Sequence, residues 1–101
     1  MTSELEVLKE EIRAFAMKRD WGKFHTPKNL AMALAGEAGE LLAEFQWLTP
    51  EESTHLTVEQ RRAVALEIAD VAIYLIRLAD TLNLDVSGAV RKKLAINETR
   101  F

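Results

Sequence analysis

Apolar residues recur every three or four positions, which is the spacing of one helix face, along almost the whole chain. The pattern predicts four helices: from Ser3 to residue 19 or 20, from Thr26 to about Trp47, from Thr57 to residues 81–83, and from Asp85 onward. Each begins at a residue whose side chain can accept a hydrogen bond from the first helical turn. Pro27 adds a second start signal, because proline fits the first turn of a helix.

A short connection between the second and third predicted helices repeats this signal. In the segment TPEES, Thr49 is placed to cap, Pro50 lies in the first turn and Glu52 completes a capping box. No segment shows the sustained alternation of a strand, and there is no repeat, low-complexity tract or linker. The sequence therefore predicts an all-α fold of the four-helix bundle type, with one extra short helical turn, in a single domain over residues 1–101.

The third predicted helix is apolar around almost its whole circumference. Its apolar residues are Leu66, Ile68, Val71, Ile73, Leu75, Ile76, Leu78 and Leu82. A helix that is apolar all round must be buried on all sides, and one small four-helix chain can hardly enclose it. We therefore expect a homo-oligomer, a dimer or a tetramer built as a dimer of dimers, with this helix at a subunit interface.

Composition narrows the class of protein. The 101 residues are 49% hydrophobic, carry a net charge of -3 and include no cysteine. Disulfides and thiolate chemistry are thus excluded, and the charge argues against binding a nucleic-acid polymer. The start is acidic and amphipathic, unlike a secretory signal, and charges interrupt the most apolar segment, so no membrane span is expected. The sequence favours a soluble, cytoplasmic protein.

Two pairs of acidic residues share one spacing. Glu37 and Glu40 lie three residues apart on the second predicted helix, and Glu67 and Asp70 lie three residues apart on the third. Residues at this spacing are neighbours on a helix surface, where like charges repel. A solvated helix face would explain one isolated pair, but the second pair lies among apolar residues and must be protonated, paired or metal-bound.

If the two helices pack against each other, the pairs form a four-carboxylate cluster. Oxygen ligands of this kind suit Mg²⁺ or Mn²⁺. Salt bridges are the alternative, and the nearby basic residues are Arg61, Arg62 and Arg77. Gly36 and Gly39 weaken the second helix, which suggests that the partner helix approaches closely there.

The two acidic pairs and the residues around them resemble those of a known family. GEAGE followed by EIAD is similar to the E-x-x-E … E-x-x-D metal motif of the MazG-like all-α nucleotide pyrophosphohydrolases. Three longer segments resemble the dCTP pyrophosphatase branch of that superfamily: RDWGKFHTPKNLAMALAGEAGELLAEFQW, EIADVAIYLIRLAD and KLAINETRF. Gly36 stands where the wider superfamily often has another Glu, although this branch tends to have Gly. The family commonly continues with an aromatic residue and then proline after its N-x-x-R/K motif, whereas this sequence stops at Phe101.

The resemblance implies a reaction and a cofactor. A nucleoside triphosphate, with dCTP or a modified dCTP as the expected substrate, would be hydrolysed to monophosphate and pyrophosphate, cleaning the nucleotide pool. Mg²⁺, or Mn²⁺ as a substitute, would be held by the catalytic and metal-binding residues Glu37, Glu40, Glu67 and Asp70. Which carboxylate acts as general base stays open.

Substrate contacts are expected from the loop after the first predicted helix and from residues on each of the three later helices. The candidates are Trp21, His25, Trp47, Tyr74, Lys93 and Asn97. Trp47 is a candidate stacking platform for the base, and Tyr74 lies one turn after Asp70 on the same face. Lys93 and Asn97 match the K…N motif of the family and share a helix face. A loop-fixing role for His25 and a core role for Trp21 remain alternatives.

Two other functions fit the same residues. One is a catalytically inactive protein that senses nucleotides or binds a helical partner. The other is a MazG-like enzyme of different base specificity, for dUTP or a broad range of nucleoside triphosphates.

Overall fold

The longest helix is the one against which its neighbours pack. A computed structural model describes residues 2–101, with helices α1 (Glu4–Lys18), α2 (Pro27–Ala43), α3 (Val58–Thr81) and α4 (Val86–Arg100) and 3-10 turns at Gly22–Phe24 and Glu52–Thr54. α3 packs on α2 and α1, whereas α4 makes few contacts with the other helices. The all-α prediction is confirmed. Over the described residues, no helix has both the length and the apolar character that a membrane crossing requires.

The helix starts follow the predicted caps. Ser3, Thr26 and Thr57 each accept a hydrogen bond from a backbone N–H three residues further on. The Gln60 side chain accepts in return from the Thr57 N–H at 2.8 Å, which completes a capping box. Asp85 occupies the fourth cap position without such a side-chain bond. Local sequence alone thus placed all four starts.

The predicted short turn in TPEES is also present. The Thr49 hydroxyl accepts from the Glu52 N–H at 3.1 Å, and the Glu52 carboxylate accepts from the Thr49 N–H at 2.8 Å. These two reciprocal bonds lead into the 3-10 turn Glu52–Thr54, so the connection before α3 is an ordered one.

The end of α2 differs from the prediction. α2 ends at Ala43 rather than near Trp47, and residues 44–47 form turns. The N–H groups of Glu44 and Phe45 bond to carbonyls three residues back, which tightens the chain out of the α-helix. Pro50 lies just beyond, and the residue before a proline is biased away from helical geometry. Trp47 therefore lies outside the helix.

Two helices end on residues with left-handed backbone geometry. Asp20 and Asn83 have φ of 56° and 55°, a region that Asp and Asn enter more readily than most residues. After Asp20, the Trp21 N–H bonds back to the Ala16 carbonyl at 3.0 Å, which is the Schellman pattern of hydrogen bonds. This bond turns Trp21 back over the end of α1.

One chain by itself leaves much of its apolar surface in contact with solvent. Leu66 on α3 is 64% exposed, and Ile68, Ile73 and Leu75 are exposed as well. The accessible surface is 7949 Å², against about 5,800 Å² for a compact monomer of this mass. The radius of gyration is 16.0 Å, against about 13 Å for a compact chain of this length. Within one chain, α3 is therefore not buried on all sides.

The expected close approach of helices at Gly36 and Gly39 is wrong within the described chain. A Cβ atom built on either glycine meets no atom within 4 Å. The carboxylates of α2 and α3 come together although neither glycine lies against another helix.

Gly36→Ala is expected to raise the free energy of unfolding by about 1 kcal/mol, since alanine is the better helix former and the site is open. Chemical denaturation at several protein concentrations measures this, with Ala35→Gly as the reverse control on the neighbouring exposed position. A loss of stability in Gly36→Ala that grows with protein concentration would show that a second copy packs on this glycine.

Candidate metal centre and nucleotide cavity

Three of the four predicted carboxylates come together between α2 and α3. Glu37 on α2 and Glu67 and Asp70 on α3 each offer an oxygen, and these oxygens all lie within 4.8 Å of one another. Helical spacing places Glu67 and Asp70 on one face of α3, and the packing of α2 on α3 brings Glu37 to that face. This cluster can bind a metal ion.

Glu67 has a buried oxygen and a raised pKa. Its side chain is half-buried, and its Oε2 atom is buried without a hydrogen-bond partner among the described residues. Burial raises the pKa of the Glu67 carboxyl, and the negative charges of Asp70 and Glu37, followed by Glu40 and Glu44, raise it further. An ionised Glu67 therefore lacks a stabilising partner among residues 2–101.

Basic side chains do not neutralise this cluster. The ion pairs within residues 2–101 are Lys9–Glu6, Arg13–Asp80, Lys23–Asp20 and Arg77–Asp80, and none involves Glu37, Glu67 or Asp70. The salt-bridge alternative is thus not realised in this part of the chain. An unpaired carboxylate oxygen in an all-oxygen donor set fits a hard divalent cation.

A cavity of about 250 Å³ adjoins two of the three carboxylates. It is lined by Ile12, Phe15, Ala16, Trp21, His25, Glu37, Asp70, Ile73, Tyr74 and Arg77. Three of the predicted substrate residues, Trp21, His25 and Tyr74, are therefore brought together with Glu37 and Asp70. Aromatic walls beside charged groups are typical of a small-molecule site.

The loop between α1 and α2 is held by hydrogen bonds that place its aromatic rings at the cavity. The Asn29 side chain donates to the Phe24 carbonyl at 3.0 Å, and the His25 N–H donates to the Gly22 carbonyl at 3.1 Å. The Trp21 ring packs edge-on against Phe15 with centroids 5.6 Å apart. The orientation of this wall is thus set by the chain itself.

The His25 side chain is bonded to Arg77, which the sequence offered only as a candidate salt-bridge partner of the acidic pairs. Its ring Nδ1 accepts a hydrogen bond from Arg77 Nε at 3.1 Å, which ties the loop before α2 to α3. Burial and the neighbouring Arg77 charge lower the pKa of His25. The only sequence signal for Arg77 was a basic residue within the most apolar stretch of the chain.

The remaining predicted residues lie away from this cavity. Trp47 is 87% exposed. Lys93 lines a different, apolar cavity with residues of α3 and α4, and Asn97 is half-buried on α4 with an Oδ1 that lacks a partner among the described residues. Glu40 is exposed and outside the 4.8 Å cluster, although its charge acts on Glu67.

Carboxylates from two packed helices beside an aromatic cavity define a class: all-α proteins with an acidic, metal-competent cleft. Within that class, residues 33–101 match the model of the MazG-like family. The chain belongs to this family, as the sequence resemblance predicted.

Several proteins of known name are similar to this chain. Human dCTP pyrophosphatase 1 is 41% identical over 99 residues, covering 96% of this chain and 58% of the human protein. A dATP/dGTP diphosphohydrolase of Cyanophage S-2L is 46% identical over 50 residues, covering 50% of this chain and 48% of the phage protein. The crystal structure of a pyrophosphatase from Archaeoglobus fulgidus has a TM-score of 0.93 at 37% identity, covering 100% of this chain and 94% of that one.

The match in length is uneven. The chain spans 58% of human dCTP pyrophosphatase 1 and almost the whole archaeal structure. This chain therefore corresponds to part of the human protein and to almost all of the archaeal structure.

Proposed function

We propose that this protein is a Mg²⁺-dependent nucleoside triphosphate pyrophosphohydrolase that converts dCTP or a modified dCTP to monophosphate and pyrophosphate, removing it from the cytoplasmic nucleotide pool. The observation that carries this proposal is the cluster of Glu37, Glu67 and Asp70, with an unpaired Glu67 oxygen, at an aromatic-lined cavity. The likeness to human dCTP pyrophosphatase 1 supports the cytosine base.

The acidic cluster is the part of the site that would hold the triphosphate end of the nucleotide, through a metal ion. Glu37, Glu67 and Asp70 would hold Mg²⁺, or Mn²⁺ in its place. When bound, the cation supplies charge neutralisation of the phosphates and lowers the pKa of water. Glu40, one turn along α2, is the candidate for a fourth ligand or for the group that takes the proton from water.

The other end of the cavity suits a nucleoside. Trp21 offers a ring face on which a base can stack, while His25 and Tyr74 add polar side chains to the lining of the cavity. Discrimination between bases would come from these polar atoms, since stacking is tolerant of base identity.

We further propose that the active form is a homo-oligomer, a dimer or a dimer of dimers. The surface in excess of a compact monomer and the exposed apolar residues of α3 support it. A second copy would bring Trp47, Lys93 and Asn97 to a cavity that they do not reach within their own chain.

The decisive test is turnover of a panel of common and modified dNTPs and NTPs with Mg²⁺, with products identified by chromatography. We expect monophosphate plus pyrophosphate, fastest with a cytosine deoxynucleotide, and no turnover with EDTA. Release of orthophosphate alone, or no metal-dependent turnover of any nucleotide, would contradict the proposal.

The same panel separates the competing functions. The local similarity to a dATP/dGTP diphosphohydrolase favours a purine specificity as the second candidate, which would appear as faster turnover of dATP or dGTP. Binding of nucleotide without hydrolysis would indicate a nucleotide-sensing protein instead.

A further inference from the structure

A buried arginine connects His25 to the interior of the fold. Arg77 on α3 is 8% exposed. Its Nε donates to His25 Nδ1 at 3.1 Å, and its Nη1 donates to Asp80 Oδ2 at 3.3 Å. The Asp80 carboxylate also accepts from Arg13 on α1, at 2.8 Å and 2.5 Å. Two guanidinium groups on one carboxylate hold Arg77 in a single orientation.

The bond from Arg77 decides which nitrogen of His25 carries the proton. A guanidinium group only donates hydrogen bonds, so the nitrogen that faces it must accept. In a neutral imidazole one ring nitrogen accepts and the other carries the hydrogen. With Nδ1 as the acceptor, the hydrogen is on Nε2, which has no hydrogen-bond partner among residues 2–101.

We propose that Arg77 is a positioning residue that holds His25 as the neutral Nε2–H tautomer, so that the cavity offers a fixed N–H donor to a neutral acceptor on the nucleobase. The proposal deepens the proposed function and rests on it for the identity of the ligand. A neutral donor suits a base carbonyl or ring nitrogen, whereas the phosphates are left to the acidic cluster and its cation. Arg77 itself acts through His25.

The second histidine of the chain is an internal reference with the opposite arrangement. His55 Nδ1 lies 2.9 Å from Thr54 Oγ1 and 3.1 Å from the Glu51 carbonyl oxygen. The Thr54 hydroxyl already donates its hydrogen to that carbonyl at 2.7 Å. Both neighbours of His55 Nδ1 therefore accept, and Nδ1 must carry the hydrogen. The two histidines should be opposite tautomers.

Long-range ¹H–¹⁵N spectra of the histidine rings in the nucleotide-free protein test this, at a pH above about 7.5 where a free imidazole is neutral. We expect His25 Nδ1 at the position of an unprotonated nitrogen and Nε2 at that of a protonated one, with the reverse for His55. His55→Gln assigns the signals. A protonated Nδ1 on His25, or a mixture of tautomers there, would overturn the proposal.

Arg77→Met then removes the donor while keeping an unbranched side chain of similar length. We expect the His25 signals to move to those of a freely exchanging imidazole, and KM for the nucleotide to rise about twofold with little change in kcat, because the Nε2–H tautomer is then present only about half of the time. Arg77→Lys retains a charged donor, so its His25 signals and its KM should lie between those of Arg77→Met and those of the unsubstituted protein. Unchanged His25 signals in Arg77→Met would contradict a positioning role.

The outcomes remain separable if a variant fails to fold or the protein fails to hydrolyse dNTPs. The spectrum of the unsubstituted protein decides the tautomer without any variant and without turnover. A protein that hydrolyses no nucleotide but shows the expected spectrum would contradict the proposed function alone, whereas the reverse result would contradict only the role of Arg77.

Discussion

Glu67→Gln is expected to lower Mg²⁺-dependent hydrolysis at least about a hundredfold. Removing only an outer partner of a metal ligand costs about 10–100-fold in affinity or activity, and Glu67 is a member of the cluster itself. The amide keeps the shape of the side chain but loses the charge that attracts the cation. Initial rates with dCTP, measured over a range of Mg²⁺ concentrations, provide the comparison.

The same substitution is expected to stabilise the metal-free protein. Because the folded-state pKa of Glu67 lies above its ordinary value of 4.5, ionising Glu67 costs stability once the pH rises past about 4.5, and the cost is complete above the folded-state pKa. Glutamine cannot ionise, so at pH 7 with EDTA the variant should have the higher Tm. Below about pH 4.5 the two proteins should converge.

Glu59→Gln is the matched control, since Glu59 is an exposed carboxylate in the first turn of the same helix. It should retain hydrolysis, and Mg²⁺ should raise its Tm as it does for the unsubstituted protein. Mg²⁺ should leave the Tm of Glu67→Gln almost unchanged. Full activity in Glu67→Gln would remove Glu67 from the proposed metal site.

Leu75→Glu is expected to dissociate the proposed oligomer and to remove most of the hydrolysis with it. Leu75 is exposed and lines an apolar cavity of about 360 Å³ along α3 and α4, together with Leu78, Leu82, Val86 and Val90. A carboxylate there would have to be desolvated on assembly, and an ion pair with Lys93, which lines the same cavity, only partly offsets that cost. Light scattering after size-exclusion chromatography measures the mass of the particle, and turnover is assayed on the same fractions.

Val58→Glu provides the control for this second prediction. Val58 is also exposed on α3 but lies in its first turn, outside the apolar cavity, where an acidic residue favours the helix. It should leave mass and activity unchanged. A Leu75→Glu protein of unchanged mass would place the interface elsewhere, and an active monomer would show that one chain completes the site.

The helix starts were predictable because capping is a local interaction. Ser3, Thr26 and Thr57 each bond to an N–H three residues away, so their partners lie within the same short segment of sequence. The end of α2 was harder to predict, since alanine, leucine and glutamate continue to favour a helix up to the point where the chain turns. The helix ends at Ala43, where the N–H groups of Glu44 and Phe45 bond to carbonyls three residues back.

The candidate site was predictable in part for a similar reason. The spacing of Glu67 and Asp70 on one helix is a local property. The same spacing in Glu37 and Glu40 identified α2 as the helix that would face them. The His25–Arg77 bond joins residues 52 positions apart, and no periodicity relates a loop residue to a particular residue of a distant helix. Only the family resemblance pointed to His25.

The sequence by itself determined the helices, their starts, the carboxylate pairs and the family, because these depend on short-range hydrogen bonds, helical periodicity and motifs read in order. The tertiary structure decided which groups meet. It joined Glu37 to Glu67 and Asp70, left Glu40 outside, and turned Arg77 toward His25 and Asp80 rather than toward the acidic cluster. These pairings depend on how α2 and the loop before it pack on α3, and packing is a property of the whole chain.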